Sequence, residues 1–217
     1  LEPFRLEAPP EALERSQKLL RGLGHRLGRG LVALEPGASY GPAKCWPAER
    51  FGALARRLLD RGLDVVTIGT AATRDVEARV AARAGAGLLR AAGRTPDLAT
   101  LAGVLARADL LVANDTGPMH VAAALGTPVL ALFGATDPEV SGPIGPGPRH
   151  VLREPTPCAP CFLRTCPVAG HPCLEALGVG RVEREALDLL EAARGGGRAV
   201  PAAEGEGPGV LAGGGAG

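Results

Sequence analysis

Residues 114–120 (NDTGPMH) bring together polar side chains of the types that bind anions and hydroxyl groups. Pro118 suits the first position of a helix, so the free backbone N–H groups of that turn would point back toward Thr116 and Gly117. A helix start of this kind favours negatively charged groups such as phosphate. The segment therefore predicts an anion site in front of a helix.

Two further side chains of this segment extend the predicted site. Asp115 can accept a hydrogen bond from a ligand hydroxyl group, and His120, one helical turn in, can donate to phosphate. The alternative is structural: Asp115 or Thr116 caps the helix, and His120 packs on it. A cap needs only one such residue, whereas four polar or special residues cluster here, which favours the binding interpretation.

A second candidate loop covers residues 35–47 (EPGASYGPAKCWP). Lys44, one of two lysines in the chain, could place a point charge against a phosphate beside the next helix start. Gly37 lets the backbone approach a ligand closely, and Ser39 is included as a candidate contact. The spacing is not that of a Walker A loop, and a plain turn with a solvated lysine is the alternative.

Two shorter loops carry weaker signals. Residues 69–71 (GTA) place Gly69 where it could approach a base or a ribose. Residues 133–138 (FGATDP) could line the same cleft.

These loops follow short, nearly all-apolar runs, which are typical of strands buried on both faces of a parallel sheet. We predict strands at residues 31–34, 64–68, 110–113 and 129–133, with a weaker one at 88–91. Helical patterns cover residues 11–21, 47–61, 74–84, 96–106, 118–125 and 182–193. The alternation predicts an α/β fold, a Rossmann-like parallel sheet with helices on both faces and ligands at the carboxyl ends of its strands. Residues 134–148 break the pattern and are predicted to form a functional loop or a linker.

The composition excludes several classes of protein. The 217 residues are 46% hydrophobic, enough for one sizeable core, with 24 basic and 23 acidic side chains. A net charge of +1 provides no positive field for a nucleic-acid partner. No apolar run reaches the roughly 20 residues of a transmembrane helix, so no transmembrane segment is predicted. Asn114, Met119 and Lys44 are rare residue types in this chain, and all three fall in the two main candidate loops.

Four of the five cysteines fall within sixteen residues, at Cys158, Cys161, Cys166 and Cys173. Thiolates this close could wrap a tetrahedral zinc ion, although the spacing departs from that of paired zinc knuckles. Reduced structural thiols and a disulfide are the other interpretations. Catalysis by these thiols is not expected, since no histidine is clearly paired with them.

Three stretches resemble one protein family. Residues 36–47, 114–126 and 129–138 are similar to motifs of the ADP-heptose:lipopolysaccharide heptosyltransferases of glycosyltransferase family 9, most of all the heptosyltransferase II branch. The resemblance covers about residues 31–190. It implies a GT-B glycosyltransferase of two Rossmann-like domains that requires no cofactor, with this chain matching the C-terminal, donor-binding domain. The implied partners are an ADP-heptose donor and a lipopolysaccharide inner-core acceptor.

The resemblance also implies roles for individual residues. Lys44 would contact the phosphates of the donor. The diphosphate and sugar would be surrounded by residues of the second motif: Asp115, Thr116, Gly117 and His120. Cys45 stands where relatives usually have arginine, so one basic contact beside the phosphates is missing.

The general base of the family is an aspartate of the N-terminal acceptor domain, and no such domain fits ahead of residue 31. We therefore expect residues 1–30 to hold a helix and a remnant of the interdomain linker, and residues 31–194 to form the nucleotide-sugar-binding domain, with a cysteine-rich loop at 158–173. Residues 195–217 are expected to be a disordered Gly/Ala-rich tail. The chain alone is expected to be inactive.

Other functions and the location of the protein follow less directly. A non-catalytic nucleotide-binding module that works with a partner chain, and a GT-B enzyme that uses a UDP-sugar, are the alternatives. The resemblance implies a cytoplasmic protein, and contact with the inner face of the membrane follows only from the substrate of the family.

Overall fold

The computed structural model describes residues 4–195. Its six strands are β1 (Leu31–Glu35), β2 (Asp64–Thr67), β3 (Leu88–Arg90), β4 (Leu110–Asn114), β5 (Val129–Phe133) and β6 (Arg149–Arg153). They form one all-parallel sheet in the order β3-β2-β1-β4-β5-β6. Every residue of β1, β2, β4 and β5 is buried, as expected of strands covered on both faces. The predicted Rossmann-like α/β fold is confirmed.

Helices cover both faces of the sheet. They are α1 (Pro10–Gly22), α2 (Ala48–Asp60), α3 (Arg74–Ala84), α4 (Leu98–Arg107), α5 (Gly117–Ala124), α6 (Pro138–Ser141), α7 (Pro172–Glu175) and α8 (Val179–Gly195). Val32 and Leu34 of β1 pack with α2, α3, α7 and α8. Leu31 and Ala33 point the other way, toward α1, α4 and α5. Among the helices of residues 4–195, none is long and apolar enough to cross a membrane.

The order of the strands creates a crevice between β1 and β4. The chain winds from β1 outward through β2 to β3, and then returns to the other side of β1 to build β4, β5 and β6. The connections that leave β1 and β4 therefore run in opposite directions at the carboxyl ends of these two strands. A switch point of this kind leaves space for a ligand.

Most predicted elements are confirmed, but residues 134–148 and those that follow are more ordered than predicted. The helix α6 begins at Pro138, and the edge strand β6 follows where no strand was predicted. Most of β6 is charged or exposed, and only Leu152 is fully buried, so its sequence lacks the apolar run of the inner strands. The predicted tail at 195–217 lies outside the described residues except for Gly195, which ends α8.

The N-terminal helix α1 belongs to the same packed unit as the sheet. Ala12 and Leu20 of α1 are buried. A Cβ atom added to Gly103 of α4 would lie 2.4 Å from the carbonyl oxygen of Ala12, so the two helices approach each other at this glycine. Arg107 of α4 also donates to the Leu13 carbonyl at 3.0 Å.

The close approach of α1 and α4 predicts that Gly103→Ala destabilises the protein by about 1–3 kcal/mol, because the added methyl group must push the helices apart. The matched control is Gly22→Ala at the end of α1, where an added Cβ meets nothing within 4 Å. Urea unfolding of both variants measures the difference. Equal stability of the two variants would show that α1 is not fixed on α4.

Candidate functional site

A cleft of about 850 Å³ opens at the carboxyl ends of β1, β2 and β4, at the switch point of the sheet. Seven of the eight candidate residues line it: Ser39, Lys44, Gly69, Asp115, Thr116, Gly117 and His120. The eighth, Gly37, lies buried just beside the cleft. The structure thus brings together loops that are far apart in the sequence, while the binding of a ligand there stays a prediction.

Lys44 and Asp115 form an ion pair inside this cleft. The Lys44 Nζ atom lies 2.6 Å from Asp115 Oδ2, and both side chains are largely buried. The same carboxylate oxygen accepts hydrogen bonds from the hydroxyl groups of Thr136 at 2.7 Å and Ser141 at 3.1 Å. The Asp115 carboxylate therefore holds the Lys44 ammonium at a fixed place in the cleft and leaves its other N–H groups for a ligand.

The buried side chain of Asn114 fixes the positions of these two loops. Its Oδ1 atom accepts a hydrogen bond from the backbone N–H of Trp46 at 2.9 Å. Its Nδ2 atom donates to the Pro36 carbonyl at 3.1 Å and to the carbonyl of Gly37 at 3.3 Å. The loop after β1 is therefore tied at both of its ends to the last residue of β4, which places Lys44 beside the next residue, Asp115.

Trp46 anchors the same loop in the core. Its side chain is fully buried, packs edge-on against Phe51 at a centroid distance of 4.9 Å, and donates from Nε1 to the Leu177 carbonyl at 2.8 Å. An anchor two residues after Lys44 limits the movement of the lysine backbone.

The first turn of α5 faces the cleft without a side-chain cap. Thr116 stands at the N-cap position, yet within the described residues it makes no capping bond, and its hydroxyl group donates to the Asn114 carbonyl at 3.3 Å. Asp115 is engaged by Lys44 instead, so the alternative of a simple cap is wrong. A Cβ added to Gly117 meets nothing within 4 Å, and His120 is exposed at the rim. Pro118 has no N–H group, and the Met119 N–H donates to the Thr116 carbonyl at 3.2 Å. Within the described residues, the Gly117 N–H group is therefore the one in these first three positions of α5 that is available to an anion.

The β2 side of the cleft is tightly packed around two glycines, and its wall carries two leucines beside Thr95 and Asp97. Gly69 has a φ of +152°, and a Cβ atom on it would lie 2.3 Å from the hydroxyl oxygen of Thr73. A Cβ on Gly37 would lie 2.6 Å from the methyl carbon of the same threonine. Leu98 and Leu101 of α4 complete this wall, with Leu98 64% exposed. This side suits a flat, partly apolar group.

Glu35 is a residue of the site that sequence reasoning missed. It ends β1, lines the cleft and is only 5% exposed. Its Oε2 atom has no hydrogen-bond partner anywhere in residues 4–195. Burial raises the pKa of this carboxyl to about 8, against a smaller lowering by the Gly37 N–H group. The available signal was a carboxylate at the end of an otherwise apolar strand; Ser141 was also missed, because no element was predicted around it.

The four clustered cysteines lie in the segment that follows β6 and in α7. No group of three or more His, Cys, Asp or Glu side chains within the described part of the chain could hold a metal ion. Cys173 is buried on α7 beside Gly134, whereas Cys158 is exposed. Burial raises the pKa of the Cys173 thiol, and the nearby Cys158 and Cys166 raise it further. All four are free thiols in the structure, and the zinc and disulfide alternatives stay predictions.

Cys45, next to Lys44, is half-buried. Its pKa is raised by burial and by the nearby Glu35 carboxyl. Such a thiol is a poor nucleophile, in agreement with the interpretation of Cys45 as a tolerated substitution.

The raised pKa of Glu35 predicts a pH-dependent gain in stability for Glu35→Gln. Between about pH 5 and pH 8 the folded protein keeps the Glu35 proton, whereas the unfolded chain loses it. The free energy of unfolding of the wild type therefore falls by about 1.4 kcal/mol per pH unit over this range. Urea unfolding at both pH values should show that the stability of the variant relative to the wild type rises with pH. An equal difference at the two pH values would contradict a buried, neutral carboxyl.

Comparisons with known proteins agree with this arrangement. The family model for glycosyltransferase family 9 (heptosyltransferase) matches residues 5–171. Lipopolysaccharide heptosyltransferase 1 of Pseudomonas aeruginosa is 41% identical over 146 residues, which are 63% of this chain and 40% of that protein.

Solved structures of the same family share the fold. The structure of E. coli ADP-heptose lps heptosyltransferase II has a TM-score of 0.73 at 26% identity, over 88% of this chain and 54% of that one. E. coli heptosyltransferase WaaC with ADP has a TM-score of 0.60 at 26% identity, over 80% of this chain and 48% of that one. The chain thus spans about half the length of these relatives or less. A family match over most of the chain, on a sheet whose switch point carries the expected loops, shows that the chain belongs to glycosyltransferase family 9, the heptosyltransferase family.

Proposed function

We propose that this chain is the donor-binding half of a heptosyltransferase that transfers heptose from ADP-heptose to the lipopolysaccharide inner core. The observation that carries the proposal is the pairing of Lys44 with Asp115 beside the uncapped start of α5. This arrangement supplies a fixed cation and the free Gly117 N–H group at one point, which is the chemistry that a diphosphate needs. The relatives support the choice of ligand, since one solved structure contains ADP and another is named for ADP-heptose.

The shape of the cleft suggests the orientation of the donor. The diphosphate would lie on the β4 side, against Lys44, the start of α5 and the His120 imidazole. The base would lie on the β2 side, between the Gly69 backbone and the apolar wall at Leu98. The heptose would then extend toward the open mouth of the cleft, where an acceptor could reach it.

The same groups would assist the departure of ADP. When the acceptor oxygen attacks the anomeric carbon, the bond to the diphosphate breaks and negative charge grows on its oxygen atoms. Lys44 and the Gly117 N–H group at the start of α5 would stabilise that charge as it develops. In this proposal they provide the positive potential at the diphosphate, and no metal ion is required there.

Removal of the acceptor proton needs a base from elsewhere. The Asp115 carboxylate is engaged by Lys44, Thr136 and Ser141, so it is poorly placed to take a proton. We propose that the base lies in an acceptor domain that precedes residues 31–194, and that the chain alone binds the donor without turnover. The lipid-linked acceptor would bring the whole enzyme to the inner face of the membrane.

Binding of ADP is expected to depend on Lys44. Lys44→Ala removes the cation and leaves the Asp115 carboxylate facing the phosphates, so we expect ADP to bind at least about tenfold more weakly. The matched control is Lys18→Ala, which removes the only other lysine, an exposed residue of α1. Isothermal titration calorimetry measures both.

Three results would contradict the proposal. They are no binding of ADP, an ADP affinity unchanged by Lys44→Ala, and tighter binding of UDP than of ADP. The last would favour a UDP-sugar as donor.

A further inference from the structure

The unpartnered carboxyl oxygen of Glu35 is the strongest feature of the cleft that the proposed function leaves unused. Glu35 is almost completely buried, and no group of residues 4–195 bonds to Oε2. The other carboxyl oxygen lies near the Gly37 N–H group, which donates to this side chain. Buried polar atoms are normally paired, so an orphaned oxygen at the wall of a binding cleft indicates a partner that arrives with the ligand.

The position of Glu35 selects which part of a nucleotide it can meet. Its strand, β1, lies between β2, which is followed by Gly69, and β4, which is followed by Asp115. A nucleotide that spans the cleft places its phosphates over β4 and its base over β2, as proposed above. The sugar joins base to phosphate covalently, so it must pass over the end of β1, where Glu35 stands.

We propose that Glu35 is a specificity-determining residue that hydrogen-bonds a hydroxyl group of the ribose of the bound nucleotide. A carboxyl oxygen accepts from a hydroxyl group, and a protonated carboxyl can also donate to one. This inference rests on the proposed function, because it requires a nucleotide in the cleft.

The polar and charged side chains near Glu35 have other partners, which leaves the Glu35 Oε2 atom free for this contact. The Lys44 ammonium is directed at Asp115, 2.6 Å away. The pKa of the Cys45 thiol is raised by burial and then by the nearby Glu35 carboxyl, and the Cys45 Sγ atom is 3.8 Å from the Gly41 carbonyl oxygen. On the β2 side, Thr73 donates to the Thr70 carbonyl at 2.9 Å.

The test pairs protein variants with nucleotides that lack one hydroxyl group. Calorimetry of the full chain would compare ADP, 2′-deoxy-ADP and 3′-deoxy-ADP on the wild type, Glu35→Leu and Glu35→Gln. The leucine variant removes both carboxyl oxygens at similar volume, and the glutamine variant keeps an acceptor and a donor. Glu183→Gln is the control, because this carboxylate of α8 pairs with Arg57 and Arg61 and does not line the cleft.

We expect one of the two deoxynucleotides to bind the wild type about tenfold more weakly than ADP, because its missing hydroxyl leaves Glu35 unpaired. In Glu35→Leu that difference should disappear, and in Glu35→Gln it should be largely restored. The control should keep the wild-type difference. Thermal unfolding confirms that each variant is folded.

Two outcomes overturn the inference, and they can be told apart. One outcome is that ADP binds with an affinity that depends on Lys44, but the differences between ADP and the deoxynucleotides are the same in the wild type and in Glu35→Leu. Glu35 then does not contact the ribose, and only this inference is wrong. If the wild type does not bind ADP, the proposed function fails together with it.

Discussion

The side-chain amide of Asn114 joins the loop after β1 to the end of β4, and the geometry of the cleft depends on this junction. One buried side chain accepts from Trp46 and donates to the carbonyl groups at 36 and 37, so it fixes both ends of the loop that carries Lys44. An aspartate could not donate these bonds, and an apolar residue would leave several buried backbone groups unpaired. The distance between Lys44 and Asp115 follows from this constraint, as does the place of both residues at the switch point.

Two of the carboxyl groups that line the cleft, those of Asp115 and Glu35, have contrasting surroundings. Asp115 receives three hydrogen bonds, one of them from an ammonium group, and therefore serves to position Lys44. Glu35 lies on the neighbouring strand, buried and without a partner for Oε2 in residues 4–195, and burial raises its pKa to about 8. In the proposed orientation of the donor, the phosphates would lie beside the Asp115–Lys44 ion pair and the nucleoside beside Glu35.

Local signals were sufficient to predict the inner strands, most helices and seven residues of the cleft, because parallel strands buried on both faces are apolar throughout and their following loops meet at one edge. The edge strand β6 was missed, since one exposed side lets charged residues such as Arg149 and Arg153 into it. The partners of Asp115 could not be predicted, because Thr136 and Ser141 reach it only through the folding of a segment that looked like a loop. The environment of each cysteine could not be predicted, because spacing along the chain does not determine which thiols become buried, as the buried Cys173 and the exposed Cys158 show.

A crystal structure of the full chain with ADP tests most directly whether the cleft between β1 and β4 is a nucleotide site. The account predicts that the diphosphate lies within hydrogen-bond distance of Lys44 Nζ and of the Gly117 N–H group at the start of α5, with the adenine between Gly69 and Leu98. ADP bound elsewhere on the protein, or bound in this cleft with its adenine against Lys44, would contradict it.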